Sequence, residues 1–153
     1  MEYLGNKEIL NNYKIGFPCS RKVPADIILK TYYCAIKLRN DGKCVISGFH
    51  SKIEKDVFDI LLKGSQPIII VLARGSKKRW SKEITEQIKN NRLLIISPFN
   101  EKVKRNNSVQ AKKRNELIVS LSDKVFIPFV KNDGSIYELV RSIKPEKLIN
   151  NFD

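Results

Sequence analysis

Histidine is nearly absent from this 153-residue chain, which carries only His50. A polyhistidine metal site and an HExxH motif are therefore excluded. Cysteine is scarce as well. Cys19, Cys34 and Cys44 are odd in number and form no CxxC pair, so neither a disulfide framework nor a zinc cluster is expected. They read as reduced, mostly buried thiols of a cytoplasmic protein. No apolar run approaches the ~20 residues of a membrane span. The opening stretch MEYLGNKEILNNYK has no signal-peptide core, and no membrane partner is expected. GxGxxG and GxxxxGK[ST] are both missing, which argues against a standard dinucleotide site or a P-loop. His50 has no accompanying GxSxG, which argues against a hydrolase triad. Neither a metal nor a cofactor is implied.

Acidic residues are the remaining shortage. Sixteen Asp and Glu face 29 Lys and Arg, leaving a net charge of +13. Such an excess attracts polyanions. It is also concentrated: Arg74 to Arg114 holds thirteen Lys and Arg against Glu83, Glu86 and Glu101. Merely solvated Lys faces would be spread more evenly, so the stretch reads as a footprint for nucleic acid or nucleotide.

What is present is an alternation. Short apolar runs at 14–19, 44–46, 67–72, 92–97 and 124–128 alternate with amphipathic stretches at 25–40, 53–63, 80–90, 109–120 and 135–142. Pro67–Leu72 (PIIIVL) and Arg92–Ser97 (RLLIIS) are nearly continuous apolar runs, as parallel strands buried on both faces require. Pro24 suits a first helical turn, and Asp41-Gly42 suits a helix end. Strand then helix, five times over, predicts a single three-layer Rossmann-like α/β domain. Its sheet is mainly parallel, of about five strands flanked by helices. The core spans about 14–142, with short N- and C-terminal extensions.

Ligands of such sheets sit beyond the carboxyl ends of the strands, so the loops there carry the function. They read, in chain order, Cys19-Ser20-Arg21-Lys22; Ser47-Gly48-Phe49-His50-Ser51-Lys52; Ala73-Arg74-Gly75-Ser76-Lys77-Lys78-Arg79-Trp80; Ser97-Pro98-Phe99; and Asn132-Asp133-Gly134-Ser135. Hydroxyls, glycines and cations recur on one edge. Glycine lets backbone approach a phosphate, helix N-termini donate N–H groups, and Arg or Lys neutralises charge. Trp80, Phe49 and Phe99 are candidates for stacking on bases. Glu54 is a further carboxylate near a strand end that a hydrolase could use, and a solvated helix charge is its default reading.

The strings Cys19-Ser20-Arg21-Lys22, Ser47-Gly48-Phe49-His50 and Lys113-Arg114-Asn115 running into Leu121-Ser122-Asp123 resemble the DNA-processing protein A family. That family carries a G-S/T-R loop, an S-G-x-A-x-G-I-D loop and an R-N-R-I-I-x-x-L-S-D helix in this order. The resemblance covers roughly Lys14 to Arg141. It implies single-stranded DNA binding in a basic groove, self-association as a homodimer, and Arg21, Ser47, Gly48, Arg114 and Asn115 as matching positions. Cys19 replaces the opening glycine, and Phe49-His50-Ser51-Lys52 replaces the glycine-bearing stretch. The 153 residues are expected to hold this one domain, without the extra domains of full-length members.

Arg114, Ser122-Asp123 and Gly134-Ser135-x-x-Glu138 also resemble the Lonely Guy (lysine decarboxylase-like) phosphoribohydrolases, which belong to the same superfamily. That likeness implies Arg114 and Glu138 as catalytic at a nucleotide's glycosidic bond. However, Lys131-Asn132-Asp133 stands where that family's P-G-G-x loop belongs. Three readings follow: a single-stranded nucleic-acid binder, a nucleoside monophosphate hydrolase, and a small-nucleotide sensor.

The first reading places Ser20, Arg21, Lys22, Ser47, Gly48, Phe49, His50, Lys52, Arg74, Lys113, Arg114, Asn115, Gly134 and Ser135 on phosphates or nucleic acid.

Overall fold

The computed structural model describes residues 1–131 and 134–149. The elements are β1 (Glu2–Gly5), a 3₁₀ turn (Lys7–Asn11), β2 (Lys14–Gly16), α1 (Ala25–Asn40), β3 (Cys44–Ser47), α2 (Lys52–Leu62), β4 (Ile68–Val71) and α3 (Lys82–Lys89). They continue with β5 (Leu93–Ser97), α4 (Ser108–Leu121), β6 (Lys124–Phe126), α5 (Ser135–Ser142), a second 3₁₀ turn (Pro145–Lys147) and β7 (Leu148–Ile149). The strands form one sheet in the order β1-β5-β4-β3-β2-β6-β7. All neighbours run parallel except β1, which pairs antiparallel to β5.

The five strands expected from the sequence form the parallel centre. Their side chains alternate between two cores, because successive residues of a strand point to opposite faces. Val45, Ile68, Ile70, Leu93 and Ile95 pack with Ala35, Leu38, Val57 and Leu61 of α1 and α2, with Ile84 and Ile88 of α3 against them. Cys44, Ile46, Ile69, Val71, Leu94 and Ile96 pack with Ile118 of α4 and Ile9 of the first 3₁₀ turn. Over β6, Val125 meets Ile136 and Leu139 of α5. These are the three layers.

From β2 the chain steps outward through β3, β4 and β5, with α1, α2 and α3 on one face. It then returns by α4, on the other face, to β6 on the far side of β2. The direction reverses between β2 and β6, and a crevice opens beside that point, beyond the carboxyl ends of β3 and β4.

Two edges extend the predicted sheet. Glu2–Gly5 and Leu148–Ile149, read as terminal extensions, are strands. Both are short, and β1 is exposed along its whole length, so neither carries the apolar run that marks a central strand. Elsewhere the helices fall within two residues of their expected bounds, and the strands within three.

α4 links the two ends of the sheet. At its carboxyl end, Asp123 accepts a hydrogen bond from the Lys14 backbone N–H at 2.7 Å, and its own N–H donates to the Lys14 carbonyl at 2.9 Å. Ser122 packs on Gly16 so closely that a Cβ there would lie 2.4 Å from its hydroxyl. The Ser122-Asp123 pair thus locks α4 to the start of β2, at the edge opposite the crevice. Arg92, counted in the basic stretch, is buried. It donates to the Leu61, Leu62 and Gln66 carbonyls, where α2 leaves carbonyls unpaired.

Candidate functional site

The crevice is built around Glu54. It is 4% exposed, which corrects its reading as a solvated helix charge. Its carboxylate accepts from the Cys19 N–H at 3.1 Å, the His50 N–H at 2.9 Å and the Ser51 N–H at 3.2 Å. Ser51 returns the bond, its hydroxyl accepting from the Glu54 N–H, which completes a capping box on α2. One side chain therefore clamps the β2–α1 loop to the β3–α2 loop. Burial pushes its pKa up, while the His50 N–H, the Arg114 charge and the Ser51 and Cys19 N–H groups pull it down.

Ser47 adds a second tie. It is fully buried, and its hydroxyl donates to the Phe17 carbonyl at 2.7 Å. Its expected place on a phosphate is therefore taken by a bond between adjacent strand ends. Phe49 follows with φ of 48°, a left-handed backbone that costs a bulky residue on the order of 1 kcal/mol. The bend drops its ring into the core, 5.0 Å from Phe58, and turns His50 outward.

Arg114, from the middle of α4, lies beneath Gly48. A Cβ on Gly48 would stand 2.8 Å from the guanidinium Cζ, Nε and Nη1. Only glycine admits this approach. Arg114 is 8% exposed. Its Nε donates to Asn115 Oδ1 at 3.2 Å, its only hydrogen bond among the described residues. Burial holds its pKa below the ordinary value; Glu54 opposes that shift and Arg21 adds to it.

Above these groups opens a cleft of about 500 Å³. Its floor is apolar, with Phe49, Phe58, Ile70, Leu72, Trp80 and Ile84. Its rim is cationic, with Lys55, Arg74, Lys77, Lys104, Arg105 and Arg114, and no lining residue is acidic. His50 and Asn106 face each other across it, Asn106 Nδ2 lying 3.3 Å from the imidazole. Burial lowers the His50 pKa, and Arg114, Lys55, Arg21 and Lys77 lower it further. Trp80 sits before the Ser81 cap of α3 rather than inside that helix. Lys77 Nζ lies 5.2 Å from its ring centre, and its buried Nε1 finds no acceptor among the described residues.

The basic rim is ordered by its own backbone. The Gly75 N–H donates to the Val103 carbonyl at 2.7 Å, and the Ser97 hydroxyl donates to the Arg74 carbonyl at 2.8 Å. A Cβ on Gly75 would meet the Asn100 carbonyl oxygen at 2.2 Å, so the two loops touch only because this residue is glycine.

The predicted residues divide accordingly. Gly48, Phe49, His50, Arg74 and Arg114 line the cleft together, and Asn115 supports Arg114. Arg21 is exposed and near enough to shift both His50 and Arg114. Ser20 donates to the Phe129 carbonyl at 3.2 Å. Lys22 and Lys113 are exposed and lie outside the cleft lining, as does Lys52, whose ammonium pairs with Asp56 at 3.1 Å. Gly134 caps α5 and Ser135 begins it. Glu138, in the first turn of α5, is exposed and does not share the cleft with Arg114. Asn132 and Asp133 lie outside the described residues. Sequence reasoning missed the role of Glu54. The Ser51-x-x-Glu54 spacing was its one signal.

Fold and site together define a Rossmann-like domain with an acid-free cationic cleft at the carboxyl ends of its strands. The family model of DNA recombination-mediator protein A matches residues 1–144, and the chain belongs to that family. No curated protein matches it. Among solved structures, it is similar to DNA processing protein A from Helicobacter pylori, described for its single-stranded DNA binding mode. The TM-score is 0.73, with 20% identity, over 91% of this chain and 64% of that one. DNA processing protein A from Streptococcus pneumoniae is similar at TM-score 0.69 and 18% identity, over 87% and 47%. The molybdenum cofactor binding protein from Rippkaea orientalis is similar at TM-score 0.60 and 15% identity, over 92% and 78%. The chain thus spans under two thirds of either DNA processing protein, and at these identities the likeness is one of fold. Among the described residues no helix is long and apolar enough to cross a membrane.

Proposed function

We propose that this chain binds single-stranded DNA in the cleft, with Arg114 and its cationic neighbours on phosphates and Trp80 against a base. The observation that carries the reading is the buried Arg114 guanidinium under Gly48, in a lining that holds six cations and no carboxylate. Six like charges held together repel one another, and a polyanion relieves that repulsion with its phosphates while releasing its own condensed cations. The apolar floor suits an unstacked base, since stacking on an aromatic ring contributes ~1–3 kcal/mol per base. Membership of the recombination-mediator family supports the same partner. The hydrolase reading loses support because Glu138 is separated from the cleft.

The test is a fluorescence titration of oligo(dT) at two salt concentrations, beside Arg21→Ala/Arg114→Ala and Trp80→Ala. Affinity should fall with salt by a log–log slope of roughly −0.7 per phosphate neutralised. The double variant should lose most of the binding, and Trp80→Ala should lose roughly fivefold or more. Tight binding unchanged in the double variant would place the DNA elsewhere.

A further inference from the structure

A second hollow of about 500 Å³ lies beside the first. It is lined by Arg74, Ser76, Lys77, Lys78, Glu101, Lys102 and Lys104. Arg74, Lys77 and Lys104 line both hollows, so the two are lobes on either side of one cationic wall. The lobes differ in character. The first has an aromatic and aliphatic floor. The second has no aromatic or aliphatic residue in its lining, which sets five cations against the single carboxylate of Glu101.

The wall is held together by hydrogen bonds within and between its loops. Gly75 is bonded to Val103, Ser97 holds the Arg74 carbonyl, and the Val103 and Lys102 N–H groups close a turn on Asn100. Lys78, Lys102 and Lys104 are exposed, and none makes an ion pair among the described residues. Unpaired ammonium groups on a fixed loop offer point charges to phosphate without first giving up a partner.

We infer that the second lobe is a distinct phosphodiester-binding site, which takes the backbone of the same strand where it leaves the base-accepting cleft. The inference rests on the single-stranded reading above. It makes the ligand a polymer, because a mononucleotide held at Arg114 would leave the second lobe unused. The first lobe supplies base contact and the second supplies charge alone, so the second contributes to affinity only when the strand is long enough to cross the shared wall.

The experiment neutralises the lysines that belong to the second lobe only. Lys78→Gln/Lys102→Gln is titrated with a dT trimer and a dT dodecamer over a salt series. A control, Lys43→Gln/Lys89→Gln, removes two exposed lysines from the opposite, amino-terminal edge of the strands. The dodecamer should bind the first variant roughly tenfold more weakly, with a salt slope shallower by about 1.4, two phosphates at ~0.7 each. The trimer should change by less than about twofold, and the control should leave both oligomers unchanged. Equal weakening of trimer and dodecamer, no weakening of either, or an equal effect of the control would each overturn the second site while leaving the cleft reading intact. Wild-type protein that binds neither oligomer would overturn the cleft reading itself.

Discussion

The Arg114 guanidinium packs so closely on Gly48 that a Cβ on that residue would stand only 2.8 Å from it. Gly48→Ala therefore displaces the Arg114 guanidinium, which must shift within the cleft it lines. The backbone of Gly48 is not in the left-handed region, so alanine adds no backbone strain. The fold should survive with about 1–3 kcal/mol of overpacking cost, while oligo(dT) affinity falls roughly tenfold. Thermal unfolding beside a binding titration separates the two effects. Full affinity in Gly48→Ala would show that the Arg114 position does not matter.

Glu54 is expected to be the main stability determinant of the site. Glu54→Ala leaves three backbone N–H groups, of Cys19, His50 and Ser51, without their acceptor. Each buried unsatisfied donor costs ~1–3 kcal/mol, moderated where water reaches it, so a loss of about 3 kcal/mol is expected. Glu54→Gln keeps an acceptor oxygen and should lose less. The urea midpoint should move with the m-value unchanged. An alanine variant as stable as wild type would mean that the clamp contributes nothing.

Acid should strengthen binding through His50. Its imidazole pKa is lowered by burial and then by Arg114, Lys55, Arg21 and Lys77. A bound phosphate chain brings the opposite charge and lifts that pKa, so affinity should rise as the pH falls from about 7.5 to below the ordinary value of ~6.5. His50→Gln should flatten that rise. Stability runs the other way. With its folded pKa depressed, the folded protein binds fewer protons than the unfolded chain, so stability falls as the pH drops below ~6.5. Identical pH profiles for wild type and His50→Gln would remove His50 from the site.

The thiols should be inert. Burial raises Cys19 and Cys44 to about 12, and raises half-buried Cys34 as well. A thiolate is the reactive form, so a disulfide reagent at pH 8 should modify Cys34 slowly and the other two only after unfolding. Rapid native labelling at Cys19 would show that the β2–α1 loop opens.

Much of this was legible in the chain because hydrophobic period is a local property. The runs Ile68–Val71 and Leu93–Ser97 declare a doubly covered parallel sheet with no knowledge of their partners. Alternation of strand and helix then places the loops, and with them Arg74 and Gly48, at one edge, whereas Arg114, inside α4, is reached only through the resemblance of its motif. The edge strands were not legible. Glu2–Gly5 and Leu148–Ile149 are held by backbone pairing with β5 and β6, which leaves no periodic mark on side chains.

Tertiary structure alone decided which polar groups are engaged and which are free. Glu54 and Ser47 look like solvent-facing loop chemistry, yet both are buried because their acceptors and donors lie about thirty residues away, at Cys19 and Phe17. Asp123 looks like part of an Arg114 motif, yet it anchors the opposite end of the sheet. Residue type and spacing determine which groups can form hydrogen bonds and ion pairs; the meeting of distant strand ends determines which of them remain available to a ligand.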